Sequence, residues 1–240
     1  MTTLARIAIA FLVALFSSSC AFDINFGNGK VGNGEVTEET RKITGEFTEV
    51  YASEGLDVFV TQDDDFKITV EADENVIDLI GTDIKDGKLR IHTIENIGRA
   101  TKNIYVSLPD ITALKTSSGA DLTTQNTIQT DKIELDASSG SDLQVALEAT
   151  EVDADASSGA DIKVSGETDR LNADASSGAD IRARQLLTKR CIADASSGAD
   201  ISVNVSESLI ADASSGADIS YTGDASVQKK KSVSGSVHKY

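Results

Sequence analysis

The chain has no tryptophan, one proline and one methionine among its 240 residues, and only 7 Phe and 4 Tyr. A thick hydrophobic core needs large side chains, and few remain after residue 120. Basic residues are also scarce: 22 Lys and Arg stand against 39 Asp and Glu, a formal charge of −17. That balance excludes nucleic acid as a partner, because phosphate backbones are held by clustered Lys and Arg. Only two cysteines, Cys20 and Cys191, are present. If Cys20 is modified or removed, no internal disulfide can form and the fold has to rest on hydrogen bonding and packing. The longest apolar run, Ile7 to Phe16, is ten residues, too short to cross a bilayer as a helix.

That run reads instead as the apolar centre of an export signal, with Arg6 as its basic flank. Ser17-Ser18-Ser19-Cys20 follows, a loose match to the lipoprotein pattern in which Cys20 becomes the lipidated first residue, leaving 1–19 as signal peptide. Ordinary secretion with cleavage after Ala21 is the rival, since Ser19 and Ala21 are both small. Residues 20–36, rich in Gly and Asn, read as a tether, and 37–240 as the folded domain.

What the chain has in abundance is one phrase. Thr116-Ser117-Ser118-Gly119-Ala120-Asp121-Leu122 returns around Gly140, Gly159, Gly178, Gly198 and Gly216, and Ser234-Gly235-Ser236-Val237 is a worn last copy. Successive glycines lie 21, 19, 19, 20, 18 and 19 residues apart. A period near 20 means stacked units, none able to bury a face alone. In Leu171–Ile181, Leu171, Ala173, Ala175, Ser177, Ala179 and Ile181 share one parity, and Asn172, Asp174, Ser176, Gly178 and Asp180 the other. Strand side chains alternate between faces, so the first set is expected inside and the aspartates outside. The fold class is therefore all-β, a parallel β-helix with coils of about 19 residues over 116–240.

Residues 37–115 carry a less regular β pattern. Leu56, Val58 and Val60 alternate, as do Phe66, Ile68, Val70 and Ala72, and the Asp63-Asp64-Asp65 stretch between them suggests a hairpin or corner. Val76, Ile77, Leu79 and Ile80 fit one or two helical turns capped by Asp73. Lys88–Thr93 and Lys102–Leu108 are strands, with Pro109 marking the exit from the second. Cys191 occupies the repeat position of Ile133, Val152, Leu171 and Leu209, which makes it a core residue rather than a reactive thiol.

Stacking the coils sets Asp136, Asp155, Asp174, Asp194 and Asp212 in one column, with Asp121, Asp142, Asp161, Asp180, Asp200 and Asp218 in another. Ser157, Ser176, Ser196 and Ser214 form a hydroxyl column beside the first. Carboxylates about 4.8 Å apart repel by about 0.9 kcal/mol even at the dielectric of water. Corner N–H groups, neighbouring hydroxyls or bound cations are expected to offset this. The second column is the candidate for Ca2+; the first, with its serines, is the candidate binding surface. The repeat is not Gly-Gly-x-Gly-x-Asp, so solvated columns are the simpler expectation.

The chain resembles the putative auto-transporter adhesin family with the head GIN domain. The resemblance rests on Phe47-Thr48-Glu49-Val50, Leu56 to Gln62, Ile68 to Asn75, Asp86 to Ile91 and the recurring Ser-Gly-Ala-Asp-Leu/Ile. It implies a β-helical, exported protein with an adhesive role and carries no catalytic residues. A polysaccharide-acting enzyme would need a local, asymmetric group of acids, bases or metal ligands. The repeat offers only identical Asp-Ser units, and His92 and His238 lie outside it. Flat hydroxyl ranks for binding ice are disfavoured by the flanking charge. The expected role is thus non-catalytic binding at the cell envelope, to a glycan or protein. A structural envelope part and a calcium-responsive binder are the alternatives. Lys229-Lys230-Lys231 reads as a loop before the final coil.

Overall fold

The computed structural model describes residues 29–229 and 234–240. The signal, Cys20 and most of the Lys229–Lys231 run lie outside the described residues.

The repeats begin at Thr116 and continue to the C-terminus, but the coil that sets their pattern comes earlier. After β1 (Val36–Thr40), strands β2 (Glu49–Ala52) and β3 (Asp57–Gln62) flank Ser53-Glu54-Gly55-Leu56. Glu54 and Gly55 both have positive φ, 65° and 66°. The same pair of left-handed residues recurs at Ser118-Gly119, Ser139-Gly140, Ser158-Gly159, Ser177-Gly178, Ser197-Gly198 and Ser215-Gly216, with φ between 51° and 79°. Two successive left-handed residues define a type I′ turn, which costs Gly little and a short polar residue somewhat more. The closing bond is present, for example from Ala179 N to Ser176 O at 3.3 Å.

This corrects one expectation. The Ser-Ser-Gly segment is a turn, so Ser158, Ser177, Ser197 and Ser215 are exposed instead of lining the interior. Because the turn inserts two residues, parity is restored at Ala179 and Ile181, which are fully buried.

The turns are also where the coils are joined. Gly N–H does not serve its own coil. It donates to the second Ser carbonyl of the next one, as in Gly140 to Ser158 (3.1 Å) and Gly178 to Ser197 (3.1 Å). The Asp N–H bonds the other way, Asp180 to Ala160 O at 3.0 Å. Gly55 joins the series through Ser118 O at 3.1 Å.

Between the first and second turns the chain makes an excursion. β4 (Lys67–Asp73), a single 3-10 turn (Ile77–Leu79), β5 (Ile80–Lys85), β6 (Lys88–Thr93) and β7 (Lys102–Leu108) precede β8 (Ala113–Thr116) and β9 (Asp121–Thr124). The coil of β2 and β3 lies in the middle. β8 and β9 stack on one side of it in parallel, and β6 and β7 on the other. β4 closes on β7, β1 on β4 and β5 on β6, all antiparallel. The Asp63–Asp65 stretch is therefore a corner: β3 pairs with β7 and β9, and β4 with β1 and β7. Phe47 and Phe66 pack 5.2 Å apart beneath this cap.

The expected capping role of Asp73 is not seen. Val76 precedes the 3-10 turn with no side-chain cap. The Asp73 carboxylate instead accepts the N–H of Thr101 (2.6 Å) and of Gly34. Residues 29–35, within the expected tether, are accordingly bonded to the fold: Lys30 N to Asn96 O and Gly32 N to Arg99 O, each at 2.9 Å.

The regular stack follows as β10 (Ile128–Ser138), β11 (Asp142–Ser157), β12 (Asp161–Ala175), β13 (Asp180–Ala195) and β14 (Asp200–Ala213). It ends in β15 (Asp218–Thr222), β16 (Ser226–Lys229) and β17 (Ser236–Lys239). Pairing is parallel and like-on-like, Asp155 on Asp174 and Asp161 on Asp180. Beside each turn the interior holds only small side chains, Ala156, Ala175 and Ala195 against Ala160, Ala179 and Ala199, all buried. Where Thr116 and Ser141 replace these alanines, their buried hydroxyls bond each other at 2.9 Å. Cys191 lies between Leu171 and Leu209 in register, buried, with its thiol pushed up to about 12 by that burial.

Two glycines separate the roles of conformation and space. Gly178 has φ +70° with open space where a Cβ would stand, whereas a Cβ on Gly166 would lie 1.8 Å from Leu147 O. Gly178→Ala is expected to cost about 1–2 kcal/mol from the left-handed backbone alone. Gly166→Ala should cost more than that, read as a larger fall in the urea midpoint. Cys191 should resist a thiol reagent in the native protein and react on unfolding in urea.

Candidate functional site

The expected columns exist, and they are not one surface. Each turn reverses the chain between the Asp before it and the Asp after it, so the columns lie on the outer faces of different runs. Their electrostatics agree. Burial raises both Asp155 and Asp121; the like charges that add to it come from each one's own column, Asp174 and Asp136 for Asp155, and Asp142 and Asp57 for Asp121. Asp155 and Asp174 are exposed, Asp194 and Asp212 half-buried. Ser157, Ser176, Ser196 and Ser214 are half-buried at the first turn position.

The second column is longer than the repeat shows. Asp57 stacks in register on Asp121, continuing the line of Asp142, Asp161, Asp180, Asp200 and Asp218. The signal is present in the sequence: Ser53-Glu54-Gly55-Leu56-Asp57 is Ser-Ser-Gly-Ala-Asp with two substitutions. It is masked by the excursion of about 50 residues that follows.

At the corners the N–H groups of the first Ser, the Gly and the Asp serve the coil-to-coil ladder, as Ser176, Gly178 and Asp180 do, and that of the Ala closes the turn. Burial, then like charges nearby, holds Asp121 and Asp155 above the ordinary carboxylate range. Asp136 is also raised by burial, against the pull of Lys115, and Asp180 by burial, against Arg182. Basic side chains stand against some of these carboxylates. Arg182 bridges Asp161 (3.0 Å) and Asp180 (2.6 Å), and His238 Nδ1 lies 3.2 Å from Asp218 Oδ1, an oxygen without a well-aligned hydrogen bond.

Elsewhere the coils are joined by opposite charges. Lys132 sits 2.6 Å from Glu151 and 2.7 Å from Asp153, and Arg170 sits 2.6 Å from Glu151. Glu151 is lowered by Lys132 and Arg170; Asp153 is lowered by Lys132 and Asn172 although burial opposes it. Among the described residues, no group of three or more His, Cys, Asp and Glu is placed to hold a metal ion. His92 pairs only locally, with Asp83 at 2.7 Å.

A second feature was not anticipated. Relative to β14, β13 carries three unpaired residues after Ala183, and β14 returns one before Ser208. This bulge accounts for the spacings of 20 and 18 that interrupt the 19-residue period. It turns Arg184 across the coils, where Nη2 donates to Ser220 Oγ at 3.0 Å and the guanidinium covers the Tyr240 ring at 4.0 Å.

The pH response follows from the signs. Raised carboxylates bind protons more readily folded than unfolded, so their contribution grows as pH falls through their folded pKa toward the ordinary value, about 4, and is lost as pH rises through it. Lowered ones such as Asp73, Glu151 and Asp153 contribute above the ordinary value, about 4, and are lost below it. Tm should therefore rise as pH is lowered from 7 toward about 4 and fall again below about pH 3.5, with added NaCl flattening the upper limb. At pH 7 Asp155→Asn should raise Tm by about 1–2 °C, and Asp73→Asn should lower it.

Comparison with known proteins places this arrangement. The solenoid is similar to a putative adhesin from Bacteroides fragilis (18% identity, TM-score 0.77), covering 88% of this chain and 100% of that one. It is similar to a putative lipid binding protein from Parabacteroides distasonis (19% identity, TM-score 0.71), covering 88% and 98%. A putative adhesin from the same species has TM-score 0.74 at 19% identity, covering 88% and 100%. Comparison with curated proteins finds no match. Residues 46–225 match the family model "Putative auto-transporter adhesin, head GIN domain", from just before the first coil to the last regular one, and the chain belongs to that family.

Proposed function

We propose that the protein is an exported, non-catalytic binding module of the cell envelope, tethered through a lipidated Cys20 and adhering through the outward side chains of its coils. The observation that carries this reading is the in-register repetition of identical outward groups on a parallel stack. An enzyme concentrates different groups at one place, whereas this solenoid distributes the same groups along an axis. Repetition suits a polymeric partner, for which many weak contacts add through effective concentration. The acidic columns lie on two runs, so a glycan or protein partner would engage one flank at a time.

Two measurements test the reading. Mass spectrometry of the mature chain should find a diacylglyceryl-modified Cys20; a free N-terminal Phe22 would contradict the anchor. The soluble domain, immobilised, should retain envelope fragments or glycans from an array, equally with and without EDTA and without shortening the glycans. Hydrolysed products, or no retention on either surface, would overturn the assignment.

A further inference from the structure

The bulge in β13 does more than absorb an extra residue. Of the residues it displaces, Leu186 is buried in the core while Arg184 and Gln185 remain exposed. Bulges commonly re-aim side chains in this way. Arg184, seated on Ser220 and Tyr240, forms one wall of a groove of about 510 Å³ across β12, β13, β14, β15 and β17.

The charge of this groove departs from the rest of an acidic protein. Arg182 is occupied by Asp161 and Asp180, and His238 faces Asp218. Lys163 and Arg184 also line the groove, and neither is paired with a carboxylate among the described residues. Tyr240 is 79% exposed although Arg184 lies against its ring. Gln185 and Ser202 add amide and hydroxyl groups, and Asp200 adds an exposed acceptor.

We propose that this groove is a binding site for a carboxylate-bearing saccharide, a uronic or sialic acid unit of a larger glycan. Lys163 and Arg184 hold the carboxylate, the Arg side chain through paired N–H donors. Asp200 accepts sugar hydroxyls, Gln185 both donates and accepts, and the Tyr240 ring offers an apolar face to the sugar C–H groups. An acidic peptide fits less well, because the aliphatic side chains at the groove, Ile181 and Ile201, are buried and offer no apolar anchor. The assignment rests on the binding-module reading and gives it a location.

The test is titration calorimetry of the soluble domain with tetragalacturonate, with cellotetraose as neutral counterpart and tetraglutamate as peptide counterpart. Tetragalacturonate should bind best and weaken with added NaCl. Arg184→Gln, Lys163→Gln and Tyr240→Ala should each weaken it by about tenfold or more. Asp64→Asn, in the exposed corner between β3 and β4 and outside both columns and the groove, should leave it unchanged, with circular dichroism and Tm verifying each fold. No binding of the uronate, equal binding by the groove variants, or preference for the peptide would overturn the site. Envelope retention separates the two proposals. Retention that is equal in wild type and Arg184→Gln removes the groove alone, whereas loss of retention in the wild type removes the binding-module reading beneath it.

Discussion

The structure depends on a turn whose hydrogen bonds are completed only by its neighbours. In each Ser-Ser-Gly corner two successive residues are left-handed, and the glycine N–H points along the stack to the next corner's serine carbonyl. A single coil would leave that N–H and its strand amides without protein partners and would bury almost nothing. Coils therefore form together, and the identity of the turn sets the register of everything beside it. A one-residue slip would carry the alanines outward and the aspartates into the core.

The acidic columns are a consequence of that register before they are anything else. The position after the turn points inward, so the next must be outward, and identical coils repeat whatever occupies it. The resulting repulsion is tolerated because cations are interposed at intervals, Lys115 beside the first column and Arg182 within the second. The stack is also closed at one end by antiparallel strands, which protects the N-terminal edge of the parallel sheet. A rigid rod with repeated outward groups results, and local departures from the repeat are where individuality enters.

Much of this was legible in the sequence because a strict repeat converts spacing into geometry. The β-helix, both Asp columns, the core placement of Cys191 and strands β6 and β7 could be read from alternation and period. What escaped has identifiable causes. Alternation cannot distinguish a continuous strand from a two-residue turn that preserves parity, hence the misplacement of Ser177 and its equivalents. The coil around Gly55 has the turn chemistry but lacks the repeated alanines, and a long excursion separates it from the next. Asp73 is positioned to look like a helix cap, but its partners, Gly34 and Thr101, are distant in sequence. Arg184 was signalled by the spacings of 20 and 18, yet a change in period gives the position of a bulge and not what its side chain meets.

Native-state hydrogen exchange at the turn glycines reads the coil-to-coil bonds themselves. Strong protection is expected at Gly140, Gly159, Gly178 and Gly198, with opening energies close to global unfolding for the interior coils and lower values at Gly216, next to the terminal coil. Exchange of the interior glycines at the rates of an unstructured peptide would contradict it, because the corners would then not be joining one coil to the next.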